Sequence, residues 1–403
     1  MKYVLLIGDG MGDWPIKELG GKTPLEAALT PNLDFMAANG TLGLARTVPD
    51  GMAPGSDVAI MSLMGYYPKG VLSGRGPLEA ASQGLKTGPE ELVFRMNLVT
   101  VEHDGPRVIM MNHASGNIST EESLELLEAL RQELPLREGQ RIFSGVSFRH
   151  VFTWPGMVTD AQPSWPPHDY LNKDVSDLVN SPEAAAIMEL VKSSWAILED
   201  HPVNRKRKAE GLPQANSIWL WGQGLMPNVK NYQERWGVTG VAISAVDLIK
   251  GLGKATGLER IDVPGATGWV DTNYQGKVEA ALKALSDHDF AIIHIEAPDE
   301  ASHQGELDTK LEAISKFDSE VVGPILKALP AFGPFRILAA CDHYTPVELR
   351  THTPEPIPFI IYGQPDEGTK GSGLGYSEKN AASTGLLVDP GADLGCLLFG
   401  PEK

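Results

Sequence analysis

The strongest constraint in the chain is a pattern that occurs three times: a short apolar strand that runs straight into an acid or a histidine. Phe335-Arg-Ile-Leu-Ala-Ala-Cys-Asp-His343 is the clearest instance. Tyr3-Val-Leu-Leu-Ile7 leads to Gly8-Asp9-Gly10, and Phe290-Ala-Ile-Ile-His-Ile-Glu296 leads to Ala297-Pro-Asp299, with His303 four residues on. A strand buried in a parallel sheet reads as an unbroken apolar run, and ligands of open α/β folds sit just beyond the carboxyl ends of such strands. One aspartate after a strand is most simply a turn or helix-cap residue. Three together, two of them paired with histidine, point to one site shared by neighbouring strands.

At 403 residues the chain is too long for one ordinary core, so two domains are expected. The segment ahead of Gly8 holds five apolar residues and then an acid, which fits neither a signal peptide nor a membrane span. Only Cys341 and Cys396 are present, both in apolar runs, which excludes a disulfide framework or a cysteine-rich zinc site; a cytoplasmic protein is expected. A formal net charge of −18 argues against nucleic-acid binding, which needs a basic footprint. An anionic substrate would have to be captured by local cations, either metal ions or clustered arginines. No nucleic-acid or membrane partner is expected, and the expected state is a monomer or small homo-oligomer.

In chain order, Asp9-Gly10-Met11-Gly12-Asp13 is a glycine-rich turn that lets backbone and carboxylate approach a ligand closely. No further glycine pair opens a helix there, so a dinucleotide fold is set aside. Thr23-Pro24 and Thr30-Pro31 each start a helical pattern, the second over 32–39 and closed by Gly40. Residues 42–48 read as a strand. Pro54-Gly55-Ser56-Asp57 is a loop that turns into an apolar helix at Ser56. Read plainly, Ser56 is an N-cap; read more sharply, it is a nucleophile whose phosphate adduct the helix N-terminus would cradle. From Ser73 the chain changes character: a hinge at Gly74-Arg75-Gly76-Pro77, a short helix at 78–84, strands at 92–102 and 107–111, an amphipathic helix at 120–134 and a strand-like stretch over 140–154 carrying Arg149-His150. A turn-rich loop at Pro166-Pro-His-Asp169, a helix at 184–198, a basic run at 204–208 expected on a solvated surface or, in so acidic a chain, facing an anion, and a strand at 217–222 follow. The α/β rhythm then resumes at 238–244, with helices at 245–257, 276–285 and 307–329, strands at 260–263 and 358–362, and a glycine-rich loop at 368–375. One α/β domain, 1–75 with 228–403, interrupted by an insert at 76–227, is the expected organisation.

The candidate ligands are Asp9, Ser56, Asp299, His303, Asp342, His343 and His352. Asp299 and His303, four residues apart, can hold one ion from a loop or a first helical turn, and His352 could close that set. Asp9, Asp342 and His343, with the Ser56 oxygen, would hold a second. Mixed carboxylate and imidazole ligation suits manganese or zinc better than calcium.

These residues together resemble the metal core of the alkaline phosphatase superfamily. More specifically, Gly8-Asp-Gly-Met-Gly12, Pro54-Gly-Ser-Asp57, Gly74-Arg-Gly-Pro-Leu-Glu79, Val263-Pro-Gly-Ala-Thr-Gly268, Glu296-Ala-Pro-Asp-Glu-Ala-Ser-His303 and Thr351-His-Thr353 resemble the archaeal-type cofactor-independent phosphoglycerate mutases. The likeness spans nearly the whole chain, including Asn97-Leu-Val-Thr-Val101, Ile118-Ser-Thr-Glu-Glu122, Gly145-Val-Ser-Phe-Arg-His150 and Asn216-Ser-Ile-Trp-Leu-Trp-Gly-Gln-Gly224 in the insert. Cys341 and Asn117 depart from the family's usual residues, and neither is a metal ligand.

The resemblance implies an alkaline phosphatase-like, mostly parallel sheet with helices on both faces and a smaller α+β lid domain. It implies a small phosphorylated acid as substrate, two divalent ions, manganese or zinc with magnesium as a further option, and no bisphosphoglycerate. By similarity, Asp299, His303 and His352 bind one ion, Asp9, Ser56, Asp342 and His343 the other, and Ser56 is phosphorylated while 3-phosphoglycerate and 2-phosphoglycerate are interconverted. Because water could hydrolyse a phosphoserine, the insert reads as a lid that excludes it. Arginines match carboxylate and phosphate, so Arg149, then Arg75 and Lys250, are the expected grip, with His150 or Asp169 handling the glycerate protons. Rival readings are a phosphotransferase acting on homoserine with the same ligands, a phosphatase or sulfatase, and a metal-stabilised binding protein. Serine at position 56 disfavours sulfatase chemistry, and a purely structural site needs no nucleophile among its ligands.

Overall fold

Burial decides where the strands go. The computed structural model describes residues 1–88, 90–157, 164–364 and 371–402; residues 368–370 of the expected glycine-rich loop lie outside them. The chain divides into two compact units, Met1–Leu72 with Val229–Lys403, and Ser73–Asn228. These compare with the expected boundaries of 1–75 with 228–403 and 76–227.

Among the described residues the strands, numbered along the chain, are β1 (Lys2–Gly8), β2 (Thr41–Ala45), β3 (Glu91–Asp104), β4 (Arg107–Asn112), β5 (Arg141–Val146), β6 (Arg149–Pro155), β7 (Ser217–Gly224), β8 (Gly240–Ile243), β9 (Glu259–Ile261), β10 (Phe290–Ile295), β11 (Phe335–Ala340), β12 (Ile357–Gln364) and β13 (Leu387–Val388). The larger unit is built on an eight-stranded sheet in the order β13-β2-β12-β11-β1-β10-β8-β9. Most neighbours are parallel; β12 runs antiparallel to both β11 and β2. The central strands are shielded from solvent, with Val4, Leu5, Leu6, Ile7, Ile292, Ile293, Ile337 and Leu338 all fully buried, which is why they read as continuous apolar runs.

Register places the site. Ile7 pairs with Ala340 and Gly8 with Ile295, so β11, β1 and β10 end level with one another. The residues that follow, Asp342, Asp9 and Glu296 to Asp299, therefore emerge side by side at one edge of the sheet. Asp299 lies in the first turn of the helix Ala297–Gln304 and His303 in its last, one turn apart on one face. That helix stops at Gly305, whose φ of +77° is the left-handed cap geometry that glycine adopts without strain.

The smaller unit carries β3 to β7 as an antiparallel sheet in which β3 pairs with β4, β6 and β7. Its core is its own, formed by residues such as Phe94, Leu98, Phe152, Leu126, Val191 and Trp219. The stretch expected as one strand over 140–154 is two, β5 and β6, broken where Ser147 takes φ +56°. The basic run at 204–208 is only partly a solvated face: Arg207 is buried in the helix Pro202–Ala209, pairing with Glu122 at 2.7 Å and donating to the carbonyls of Ser115 and Pro213. Asn204 is likewise buried and bonds the Ala215 backbone in both directions. No helix among the described residues is long and apolar enough to cross a membrane.

Candidate active site

Ser56 opens the helix Ser56–Leu63, but it is not its cap. Gly55 is, and it makes no side-chain cap bond. The Ser56 hydroxyl instead faces His343, with Oγ 3.3 Å from Nε2. A serine spared from capping and turned towards an imidazole is what the sharper reading of the sequence requires.

Around that point the acids leave specific oxygens free. Asp342 Oδ1 accepts from the backbone N–H groups of Gly10 and His343, and Asp9 Oδ2 bonds His294 Nε2 at 2.9 Å. The other oxygens, Asp9 Oδ1 and Asp342 Oδ2, are buried and have no hydrogen-bond partner. Both face His343 Nε2, at 3.6 and 3.1 Å. Burial, followed by the charges of Asp342, Asp299 and Glu296, pushes the Asp9 carboxyl well above its ordinary range. Two orphaned carboxylate oxygens, an imidazole nitrogen and a hydroxyl oxygen converging in a buried site fit a divalent cation.

A second group adjoins the first. His303 Nε2 lies 3.1 Å from Asp299 Oδ2 and 2.9 Å from His352 Nε2, which is itself 3.5 Å from Asp299 Oδ1. His303 Nδ1 donates to the Arg350 carbonyl at 3.0 Å, which turns Nε2 towards the group. The hydrogen bond that the His303 imidazole donates to Asp299 raises His303 to about 9, so a proton and a cation are alternatives at this position. Burial alone would raise the Asp299 carboxyl, yet its bonds to His303 and His352 hold it well below the usual range. The His343 and His352 rings, 4.0 Å apart between centroids, join the two groups, and ligand atoms of Asp299, His343 and His352 also fall within 4.8 Å of one another. The donor chemistry of both groups therefore fits divalent ions.

All seven candidate ligands come together in the larger unit. Lys250 does not join them: its ammonium is held by Asp262 at 3.0 Å and Asp247 at 3.6 Å. The remaining candidates belong to the smaller unit. Arg75 and Arg149 are exposed, and neither has a carboxylate partner among the described residues. Between them in influence is Arg95, paired with Glu79 at 2.8 Å and stacked on Trp221; burial, and then the charges of Arg75 and Arg149, lower its guanidinium against the pull of Glu79. Asp169 is exposed beside His168. His150 corrects an expectation: it is fully buried, its Nδ1 accepts the Gly145 N–H, and burial pushes it down to about 3. A neutral, enclosed imidazole packs the sheet and is poorly placed to trade protons with a substrate.

Sequence reasoning missed the residues that hold the ligands. His294, in the middle of β10, donates to Asp9 and accepts from the Ser244 hydroxyl at 3.0 Å. Burial, and then Lys277, push it down to about 3, so it stays neutral. A histidine inside an otherwise apolar strand was the available signal. Thr345 and Lys310, both fully buried, lie behind the ligands, and nothing in their local sequence marks them.

Comparison with known proteins agrees with this geometry. The metalloenzyme superfamily matches residues 1–391. The chain is 47% identical over 397 residues to a probable 2,3-bisphosphoglycerate-independent phosphoglycerate mutase of Geobacter sulfurreducens, covering 97% of this chain and 98% of that protein. It is 49% identical over 365 residues to the 2,3-bisphosphoglycerate-independent phosphoglycerate mutase of Methanothrix thermoacetophila, covering 90% and 91%. A solved Pyrococcus horikoshii protein superposes with a TM-score of 0.80 at 31% identity, covering 98% of this chain and 96% of that one. With near full-length identity of this order and a carboxylate–imidazole site in the same chain, the protein belongs to the metalloenzyme superfamily and, within it, to the 2,3-bisphosphoglycerate-independent phosphoglycerate mutase family.

Proposed function

We propose that the protein interconverts 3-phosphoglycerate and 2-phosphoglycerate through a phosphoserine on Ser56, without bisphosphoglycerate. The observation that carries this reading is the Ser56 hydroxyl, unused in capping and 3.3 Å from His343 Nε2 beside two orphaned carboxylate oxygens. Relatives 45–49% identical are named as mutases of this kind, which leaves the homoserine alternative without support.

Asp9, Ser56, Asp342 and His343 would hold one divalent ion, manganese or zinc, and Asp299, His303 and His352 the other. When bound, the ions supply positive charge that offsets the phosphoryl oxygens and favours loss of the serine proton. Ser56 Oγ forms a bond to phosphorus as the bond from phosphorus to the glycerate oxygen breaks, and that oxygen gains the proton Ser56 gives up. Glycerate then presents its other hydroxyl, and the same exchange runs in reverse to regenerate free serine. The Ser56 N–H and its neighbours at the helix start offer donors to the phosphoryl group. Arg75 and Arg149 are proposed to bind the substrate carboxylate and Asp169 to handle the glycerate proton.

The test is enolase-coupled turnover of 3-phosphoglycerate with manganese present and bisphosphoglycerate absent. Turnover is expected; a folded, metal-loaded protein without it ends the assignment. Ser56→Ala should abolish both turnover and transfer of radiolabelled phosphate to the protein, and continued labelling would point to another nucleophile.

A further inference from the structure

We propose that Thr345 is a positioning residue whose single hydroxyl couples the two ligand groups, fixing the His343 ring and the Asp299 carboxylate relative to each other. The inference rests on the reading that these residues hold two cations. Thr345 Oγ1 lies 2.5 Å from Asp299 Oδ1 and 3.1 Å from His343 Nδ1. A carboxylate oxygen can only accept, and a hydroxyl has one proton to give, so that proton goes to Asp299. The remaining contact then requires a proton on His343 Nδ1, donated to the hydroxyl's lone pair. Nε2 is therefore left as the lone-pair nitrogen, and it is the atom that faces Asp9 Oδ1, Asp342 Oδ2 and Ser56 Oγ. One hydroxyl thus selects the ligating tautomer in one group and orients a ligating carboxylate in the other.

Three features hold the hydroxyl in place. Thr345 is fully buried, so water does not compete for it. The Lys310 ammonium donates to the Thr345 carbonyl at 2.9 Å while pairing with Asp13 at 2.8 Å. Gly10 packs against the hydrogen bond itself: a Cβ there would lie 2.5 Å from Asp299 Oδ1 and 2.7 Å from Thr345 Oγ1. A threonine that merely satisfies itself locally would need none of this, and its loss would not be felt in both groups at once.

The experiment titrates manganous chloride into the metal-free full-length wild type, Thr345→Ser and Thr345→Val, followed by calorimetry. The wild type and Thr345→Ser should bind two ions alike. Thr345→Val, which keeps the shape and removes the hydroxyl, should weaken both sites together, by about 10- to 100-fold. Weakening at one site alone, or at neither, in a protein with unchanged circular dichroism overturns the coupling. A measurement that needs no variant guards against misfolding: the ¹⁵N shifts of the His343 ring in the metal-free wild type should report a proton on Nδ1, and a proton on Nε2 alone overturns the proposal. Neither readout uses phosphoglycerate, so failure of the mutase assay leaves the result standing. A wild type that binds fewer than two ions sinks the two-cation reading and the coupling with it.

Discussion

Gly10 shows how narrowly single residues are constrained here. Its φ of +60° is a left-handed conformation that costs another residue about 1–2 kcal/mol, and the room for a side chain is already taken by Asp299 and Thr345. Gly10→Ala should therefore lower manganese affinity at least 10-fold as well as stability. Gly20→Ala is the control, since Gly20 has a similar φ of +68° and open space where a Cβ would go. It should cost stability by a comparable amount and leave manganese binding untouched; equal affinities in the two variants would remove the steric argument. Five of the ligands were legible in the sequence because Asp9, Asp342 and His343 stand just after apolar strands, Asp299 follows a third, and His303 lies one helical turn further on; Ser56 was marked by the start of an apolar helix, and His352 only by its nearness to His343. Their supports were not. Thr345 looks like any turn residue two places after a histidine, and Lys310 like the solvent face of an amphipathic helix, yet both are fully buried because remote segments close over them. His150 failed for the opposite reason: it was expected to handle substrate protons, but β6 is buried without a break from His150 to Trp154, so the ring is enclosed while its neighbour Arg149 is exposed.

At the scale of elements, the stretch expected as one helix over 307–329 is instead Leu307–Lys316, a π turn at Phe317–Val322, the helix Gly323–Ala328 and a 3₁₀ turn at Leu329–Phe332. Pro324 explains the break, because it offers no N–H and its ring crowds the carbonyl four residues back, which the wider turn relieves. The π turn also aims Asp318 out of its own helix. Its Oδ1 accepts from the Leu33 N–H at 2.7 Å and its Oδ2 from the N–H of Asn32 at 3.2 Å, capping the helix Pro31–Asn39 from outside. Thr30, the cap position the sequence suggested, makes no side-chain cap bond. Local sequence could place the helix start but could not say which residue satisfies it, because the partner lies almost three hundred positions away. Asp318→Ala should cost about 1–3 kcal/mol in urea unfolding by stranding buried donors, whereas Thr30→Val should cost far less. The reverse order would mean that Thr30 is the working cap.

At the scale of the whole molecule, the two units have different sources of stability, and this can be read in unfolding. The smaller unit has its own core, and its ends are joined by Ser73, whose hydroxyl accepts from the Leu225 N–H at 2.9 Å, so the inserted segment begins and ends at one place. It contains none of the seven candidate ligands. In the larger unit, ions at a thousandfold excess over their dissociation constant add about 4 kcal/mol, which chelation removes. Thermal unfolding should accordingly show a transition that EDTA shifts downward and one that it does not, the latter assigned to 73–228 by proteolysis of the partly unfolded protein. Acid should act on the second transition through His150. Its pKa in the folded protein, about 3, lies below the ordinary value near 6.5, so on acidification the unfolded chain takes up a proton that the folded chain refuses. The contribution of His150 is therefore complete above about pH 6.5 and is lost at about 1.4 kcal/mol per pH unit as the pH falls towards 3. His150→Asn, which keeps an acceptor for the Gly145 N–H and cannot titrate, should flatten the acid slope of that transition by this amount between pH 6.5 and 5 while leaving the EDTA-sensitive one unchanged. Identical slopes in the two proteins would mean that His150 is protonated in the folded unit and is not enclosed as described.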